Sequence, residues 1–314
     1  MLNWLVIGVG DITSKRVLPA ILAEERSRLA GIVTRDPAKA APYGVPAYTT
    51  LEAALRESDA AAVYVASPVF LHAPQSIAAL AAGRHVLCEK PMALNLAEAQ
   101  KMVAAARASG RTFGVAYYRR TYPKVHRAME LIRQGAIGQP VLAWATCHTR
   151  LAGIDAQRAW LLDPAQAGGG PLYDIASHRI DLLNFLFGEP GRATGQLSNA
   201  VHALAVEDSA TVMIEYQNKV RAIVDVRWHS RVERDEFRII GTEGEMDLSP
   251  LNGPALVYPG GRENLPAHSN LHFPCVKNFV DAALDGAPLL STGDTASWTD
   301  WVTAQALASD RSTR

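Results

Sequence analysis

No stretch of this 314-residue chain approaches the roughly 18 consecutive apolar residues that a membrane-spanning helix requires, and no basic segment with an A-x-A site opens it. A membrane anchor and a secretory leader are therefore not expected. Cysteine is scarce, with three residues, Cys88, Cys147 and Cys275, and no C-x-x-C pair. That excludes a disulfide framework and fits reduced thiols in a cytoplasmic protein. Neither sign of charge is in excess, since Lys+Arg and Asp+Glu both number 31, and no segment forms a basic stripe. Nucleic acid needs clustered positive charge, so it is not the expected partner. His148, His229, His268 and His272 lack ligand-like spacing with acids or cysteines, and no metal is expected.

What the chain does have is 48% hydrophobic residues and enough length for two domains. The first 120 residues alternate between strand and helix patterns. Leu2 to Gly8, Leu29 to Val33, Ala60 to Ala66, the run to Lys90, and Thr112 to Tyr117 read as buried strands. Helices are expected over about 11–25, 74–82 and 95–110, the last opened by Asn95 with Glu98 three residues on. Such alternation predicts a doubly wound parallel sheet. Ligands of such sheets sit beyond the carboxyl ends of the strands. Gly8–Gly10, Thr34–Arg35, Ser67–Pro68, Glu89–Pro91 and Tyr117–Arg120 all follow strand ends.

At the first of these ends Gly8-Val9-Gly10-Asp11-Ile12-Thr13 supplies two glycines of the dinucleotide fingerprint, with Thr13 in place of the third. At the second, Thr34 and Arg35 stand where an NAD site favours a carboxylate. A hydroxyl and a guanidinium suit a 2′-phosphate, so NADP is preferred to NAD; the alternative is that Asp36 grips the ribose. In H-V-L-C-E-K-P, residues 85–91, an apolar strand stops at Glu89, Lys90 and Pro91. A lysine there is placed for proton transfer or carbonyl polarisation, and the Lys90–Pro91 bond is a candidate for cis.

Beyond Tyr122-Pro123 a helix runs to Gln134, and strand patterns follow at 141–149, 210–216, 222–228, 237–240 and 245–248. They predict an α+β domain with an antiparallel or mixed sheet. Alternation in 141–149 and 222–228 leaves one sheet face partly apolar, with Trp144 and Trp228 as its candidates, and such a face pairs with a copy of itself. One helix, from about Leu172 to Phe187 after Gly168-Gly169-Gly170, carries Asp174 and His178 four apart. A carboxylate beside an imidazole orients it and tunes it for acid–base work.

Together these motifs resemble the glucose–fructose oxidoreductase/inositol dehydrogenase/MocA family. The resemblance runs through GVGDI (8–12), TRD (34–36), ASPVFLHA (66–73), AAGRHVLCEKPMALN (81–95), AYYRR (116–120), GAIGQP (135–140) and GGGPLYDIASHRIDLLNFLFG (168–188), thinning after about residue 250. It implies a Rossmann domain over 1–120 and, over 121–314, an α+β substrate-binding domain with a large open, mainly antiparallel sheet that forms a homodimer or homotetramer. It also implies hydride transfer between NAD(P) and a secondary alcohol or ketone of a sugar, polyol or related molecule, with Lys90, Asp174 and His178 as the reacting set. Gly8, Gly10, Asp11, Ile12, Thr34, Arg35, Ser67, Pro68, His72, Glu89, Lys90 and Arg119 are the implied cofactor-binding residues. From the residues alone, His72 is a structural histidine capping the next helix. Tyr118 and Tyr173 join Asp174 as substrate candidates. The chain departs from the family pattern at Ala176, where a glycine is common, and at Val69, where many members have Asn. Two alternatives remain open: a glycosidase that oxidises its substrate transiently, and a non-catalytic cofactor sensor.

Overall fold

The computed structural model describes residues 1–151 and 158–310. The strands of the first sheet are β1 (Leu2–Ile7), β2 (Ser27–Val33), β3 (Ala47–Tyr48), β4 (Ala62–Val65), β5 (His85–Cys88) and β6 (Phe113–Val115). Those of the second are β7 (Pro140–Arg150), β8 (Pro190–Ser198), β9 (Ser209–Tyr216), β10 (Arg221–Arg227), β11 (His229–Gly241), β12 (Glu245–Asp247), β13 (Ala255–Tyr258) and β14 (Gly261–Asn264). The helices are α1 (Leu18–Ala23), α2 (Leu51–Glu57), α3 (His72–Ala81), α4 (Leu96–Ser109), α5 (Pro123–Arg133), α6 (Pro164–Ala167), α7 (Ser177–Phe187), α8 (Phe273–Asp285) and α9 (Gly293–Ser309). Among the described residues no helix is long and apolar enough to cross a membrane.

The first sheet runs β3-β2-β1-β4-β5-β6, and every neighbouring pair is parallel, as the alternation of patterns predicts. Parallel strands bury both faces, which is why they read as unbroken apolar runs. Leu5, Ile7, Val63, Val65, Val86 and Cys88 form a core with residues of α2, α3 and α4. Trp4, Val6, Tyr64 and Leu87 form a second core with residues of α1 and α8. Helix boundaries follow local chemistry. Asn95 accepts from the Glu98 amide at the start of α4, and Gly110 closes it in the left-handed conformation.

Contacts divide the chain differently from a contiguous split at residue 120. Residues Met1–Tyr118 and His268–Ser297 make one compact unit, and the second is Arg119–Ala267 with the chain from Trp298 onward. The reason is apolar area. Cys275, Val276, Phe279 and Val280 of α8 complete the core over Trp4 and Tyr64, with the Phe279 ring 5.3 Å from Trp4.

In the second unit the sheet runs β14-β13-β12-β11-β7-β10-β9-β8. It is antiparallel except for the parallel pair β10–β7. Its inward residues include Ala143, Ala145, Val212, Ile214, Ala222, Val224, Val226, Phe237 and Ile239. The expectation that Trp144 and Trp228 share an exposed face is wrong. Trp144 pairs with Ile223 on the outer face and is 40% exposed, whereas Trp228 follows the inward parity of Val224 and Val226 and is buried.

Candidate active site

All the polar strand ends of the first unit fall at the carboxyl edge of its sheet, because every strand is parallel. Gly8 has φ +84°, and a Cβ there would lie 2.8 Å from the Ala66 carbonyl oxygen, so only glycine lets the β1 turn pass the end of β4. A Cβ on Gly10 would meet nothing within 4 Å, which leaves open space over that turn. Asp11 pairs with Lys15 at 2.6 Å, and Ile12 is exposed. The helix then begins with a π turn, Thr13–Val17, whose buried Thr13 occupies the place of the third glycine.

At the end of β2 the Thr34 hydroxyl bonds within its own turn, and Arg35 is exposed. The Asp36 Oδ1 accepts from the Ala38 amide at 3.1 Å and caps the turn at Pro37–Lys39. Lys39 then reaches back, and its Nζ donates to the Val9 carbonyl at 3.2 Å. Lys39 therefore stands beside the glycine turn, and Arg35 follows the end of the neighbouring strand β2. Open space above Gly10 and this charge fit a dinucleotide with a 2′-phosphate.

Ser67 and Pro68 follow β4 and are half-buried, with the Ser67 hydroxyl donating to Gln75 at 2.6 Å. His72 is buried, its ring nitrogens 2.8 Å from the Ser67 carbonyl and 2.9 Å from the Pro91 carbonyl. It thus ties two strand-end turns together, and burial lowers its imidazole pKa. The Lys90–Pro91 bond is cis. Lys90 is half-buried, and its amide donates to the Glu89 carboxylate at 3.2 Å. The Tyr118 ring lies 4.9 Å from that of His272.

In the second unit the helix bearing Asp174 and His178 also begins with a π turn, Leu172–Ala176, and continues as α7. π turns recur at functional sites. Asp174 is half-buried and His178 is buried. Asp181, three residues beyond His178, takes another partner, the buried Arg120, which donates to it at 2.5, 3.0 and 3.1 Å. Arg179 pairs with Asp235 at 2.8 Å. Arg119 is buried and donates to Asn252 at 3.1 Å. Tyr173 is buried, and its ring fills the space that side chains at Gly168 and Gly169 would take.

Family models match both parts of the chain: an oxidoreductase-family NAD-binding Rossmann fold over residues 2–117, and a GFO/IDH/MocA C-terminal domain over 125–247. The chain belongs to the Gfo/Idh/MocA family. Among curated relatives, 1,5-anhydro-D-fructose reductase of Ensifer adhaerens is 31% identical over 95% of this chain and 93% of its own length. An NADP-dependent D-xylose 1-dehydrogenase of Haloarcula marismortui is 27% identical over 80% of this chain and 73% of its own. The crystal structure of aldose–aldose oxidoreductase from Caulobacter crescentus aligns with a TM-score of 0.89 at 27% identity, covering 100% of this chain and 98% of that one. This Gfo/Idh/MocA member is an NAD(P)-dependent oxidoreductase acting on CH–OH groups, and these relatives do not favour the glycosidase or sensor alternatives.

Several residues of this family member escape motif reading. Lys39 gives no sequence signal beyond standing five residues after Thr34. Glu207 lies outside every expected strand, yet its carboxylate accepts from the Gly170 and Leu172 amides at 2.9 Å each, capping the site helix. A side chain at Gly170 would collide with the Glu207 carbonyl, so the last glycine of the GGG run is a packing requirement. Lys124 is a buried cation whose Nζ donates to the Leu248 and Pro250 carbonyls at 2.6 and 2.8 Å. That bracing holds the segment presenting Asn252 to Arg119 and to the Tyr122 hydroxyl.

Proposed function

We propose that this protein interconverts a ketone or aldehyde and the corresponding alcohol on a sugar-type substrate, with NADP(H) preferred to NAD(H). The observation that carries the cofactor preference is the Arg35–Lys39 pair beside a β2 end whose nearby carboxylate, Asp36, is engaged as a cap. The substrate class rests on relatives named for 1,5-anhydro-D-fructose and D-xylose. The nicotinamide supplies or accepts the hydride.

The chain's own residues would do the rest. The Gly8–Gly10 turn would admit the pyrophosphate, Thr34, Arg35 and Lys39 would hold the 2′-phosphate, and Ser67 and Pro68 would line the path toward Lys90. Lys90 would donate a hydrogen bond to the reacting oxygen, stabilising the developing alkoxide. His178 would move the proton at that oxygen, with Asp174 binding substrate and tuning the imidazole. Tyr118 and Tyr173 would contribute to substrate contacts. The test is a panel of aldoses, ketoses and anhydro-sugars followed by NAD(P)H absorbance. On the substrate so found, Lys90→Ala lowers kcat by roughly a hundredfold or more; an unchanged kcat refutes the role.

Copies of the chain would associate through the outer face of the eight-stranded sheet. Register places Met213, Ile223 and Trp144 side by side on that face, between Thr194 and Arg238. Met213 and Trp144 are exposed there. A central apolar row with a polar rim is the composition of an isologous contact.

A further inference from the structure

Beneath the Lys90 turn lies a carboxylate that the redox chemistry does not call for. β5 ends at Cys88, and the side chain of Glu89 is committed to protein donors on both oxygens. Its Oε1 accepts from the Tyr64 hydroxyl at 2.7 Å and faces His272 Nε2 at 3.1 Å. Its Oε2 accepts from the Lys90 amide at 3.2 Å. The donors come from three places: β4, the residue that precedes α8, and the turn itself. Each outer partner is fixed in turn. Tyr64 is fully buried, its ring 6.3 Å from Trp4, and His272 is buried against Tyr118.

Burial alone would push the Glu89 carboxyl up. The hydrogen bond and charge of His272, the Tyr64 hydroxyl and the Lys90 charge outweigh it and hold the group below its ordinary value. The ionised form is the one that accepts from all three partners at once, and a proton on Oε2 toward the Lys90 amide would aim a donor at a donor. Other titratable groups around it are His72 from α3, which faces the Pro91 carbonyl, and the Cys88 and Cys275 thiols near Tyr64. Both carboxylate oxygens of Glu89 are thus engaged by protein groups.

We propose that Glu89 is the positioning residue of Lys90: Tyr64 and His272 hold the carboxylate, and the carboxylate holds the Lys90 amide, fixing the turn from which Lys90 acts. The inference rests on the reading of Lys90 as the group that meets the reacting oxygen. It assigns His272, which has no motif spacing, to the support of the site. The network is also proton-sensitive, since protonating Glu89 removes the negative charge that His272 and Lys90 face.

The experiment compares His272→Phe, His272→Gln and Tyr64→Phe with the wild type, and Lys90→Met as an independent reading of Lys90. In His272→Phe the acid limb of kcat moves to higher pH, because burial then meets less opposition, and kcat at neutral pH falls about tenfold, within the range for misplaced acid–base groups. The dissociation constant for NADPH, read by fluorescence titration, stays within about twofold, as hydrogen bonds to the cofactor are not removed. His272→Gln, which keeps an N–H donor, restores kcat, and Tyr64→Phe shifts the limb in the same direction by less. Without any cofactor, thermal stability read against pH reports the same group. The depressed Glu89 carboxyl contributes stability at neutral pH that is lost as pH falls from its unfolded value through its folded value, and in His272→Phe, where the carboxyl is less depressed, that acid-side loss is smaller. A wild-type acid limb in both His272→Phe and Tyr64→Phe, with Lys90→Met inactive, overturns this proposal alone. Full kcat in Lys90→Met removes the role of Lys90 and, with it, this one. Should His272→Phe not fold, Tyr64→Phe and His272→Gln carry the comparison.

Discussion

Lys39 and Lys124 carry charges that sequence position alone does not assign, and each makes a separate prediction. If Arg35 and Lys39 hold a 2′-phosphate, Arg35→Ala and Lys39→Ala each raise KM for NADPH about tenfold, the worth of one charge-assisted hydrogen bond. Initial rates with NADH should barely move; equal effects on both cofactors would refute the preference. Lys124 is held by carbonyls, with no carboxylate among the described residues in direct contact, and burial brings its pKa down from 10.5 to about 8. Between those values the unfolded chain binds the proton more tightly, so this residue's contribution to stability rises with pH. Urea denaturation at several pH values from about 8 to about 10 tests it. Lys124→Met loses that rise and, with two buried carbonyls left without a donor, costs about 1–3 kcal/mol. Lys90, Asp174 and His178 stand out as candidates because their types and spacing match a motif. Glu207, Asn252 and His272 do not, because they come from segments remote in sequence and act through groups that only folding brings together.

At the scale of elements, both site-bearing helices open in a π turn, and the second has its first turn fixed from outside the helix. For the second helix the fixing group is Glu207, which accepts from the Gly170 and Leu172 amides. Glu207→Ala should lower stability by about 1–3 kcal/mol by orphaning two donors, while Glu207→Gln retains an acceptor and most of that stability. Urea midpoints of the two variants separate the cap from simple packing; equal losses would argue against it. The buried parallel strands β1, β2, β4 and β5 were readable because burial on both faces writes an apolar run. β3 has two residues, and β8 carries Pro190, Gly191 and Gly195 among Thr, Gln and Ser. Neither presents a period to read, since edge and half-exposed strands draw their stability from neighbours. The misplacement of Trp228 has the same origin. Parity is visible in a strand, but which face is the inner one is decided by what packs on it.

For the molecule as a whole, the outer face of the eight-stranded sheet predicts association. Light scattering at micromolar concentration should give an even multiple of the chain mass, and Trp144→Arg should lower it by charging the centre of the apolar row. A monomer for the unaltered protein would count against the interface. The other whole-molecule feature is the division into units, which the sequence hid because α8 carries no label tying it to the Rossmann sheet. Its apolar stripe could have covered any sheet.

That division has a practical corollary. The chain passes from one unit to the other after Tyr118, returns at His268, and leaves again within α9 after Ser297. A fragment stopped at Tyr118 would therefore display the Trp4–Tyr64 surface that α8 covers, and would lose the backbone bond from the Val115 amide to the Ser291 carbonyl. The nucleotide module cannot be cut out as a contiguous piece or exchanged by simple splicing at residue 118. Transplanting it into another protein requires a permuted gene in which residues 268–297 are joined to the first 118.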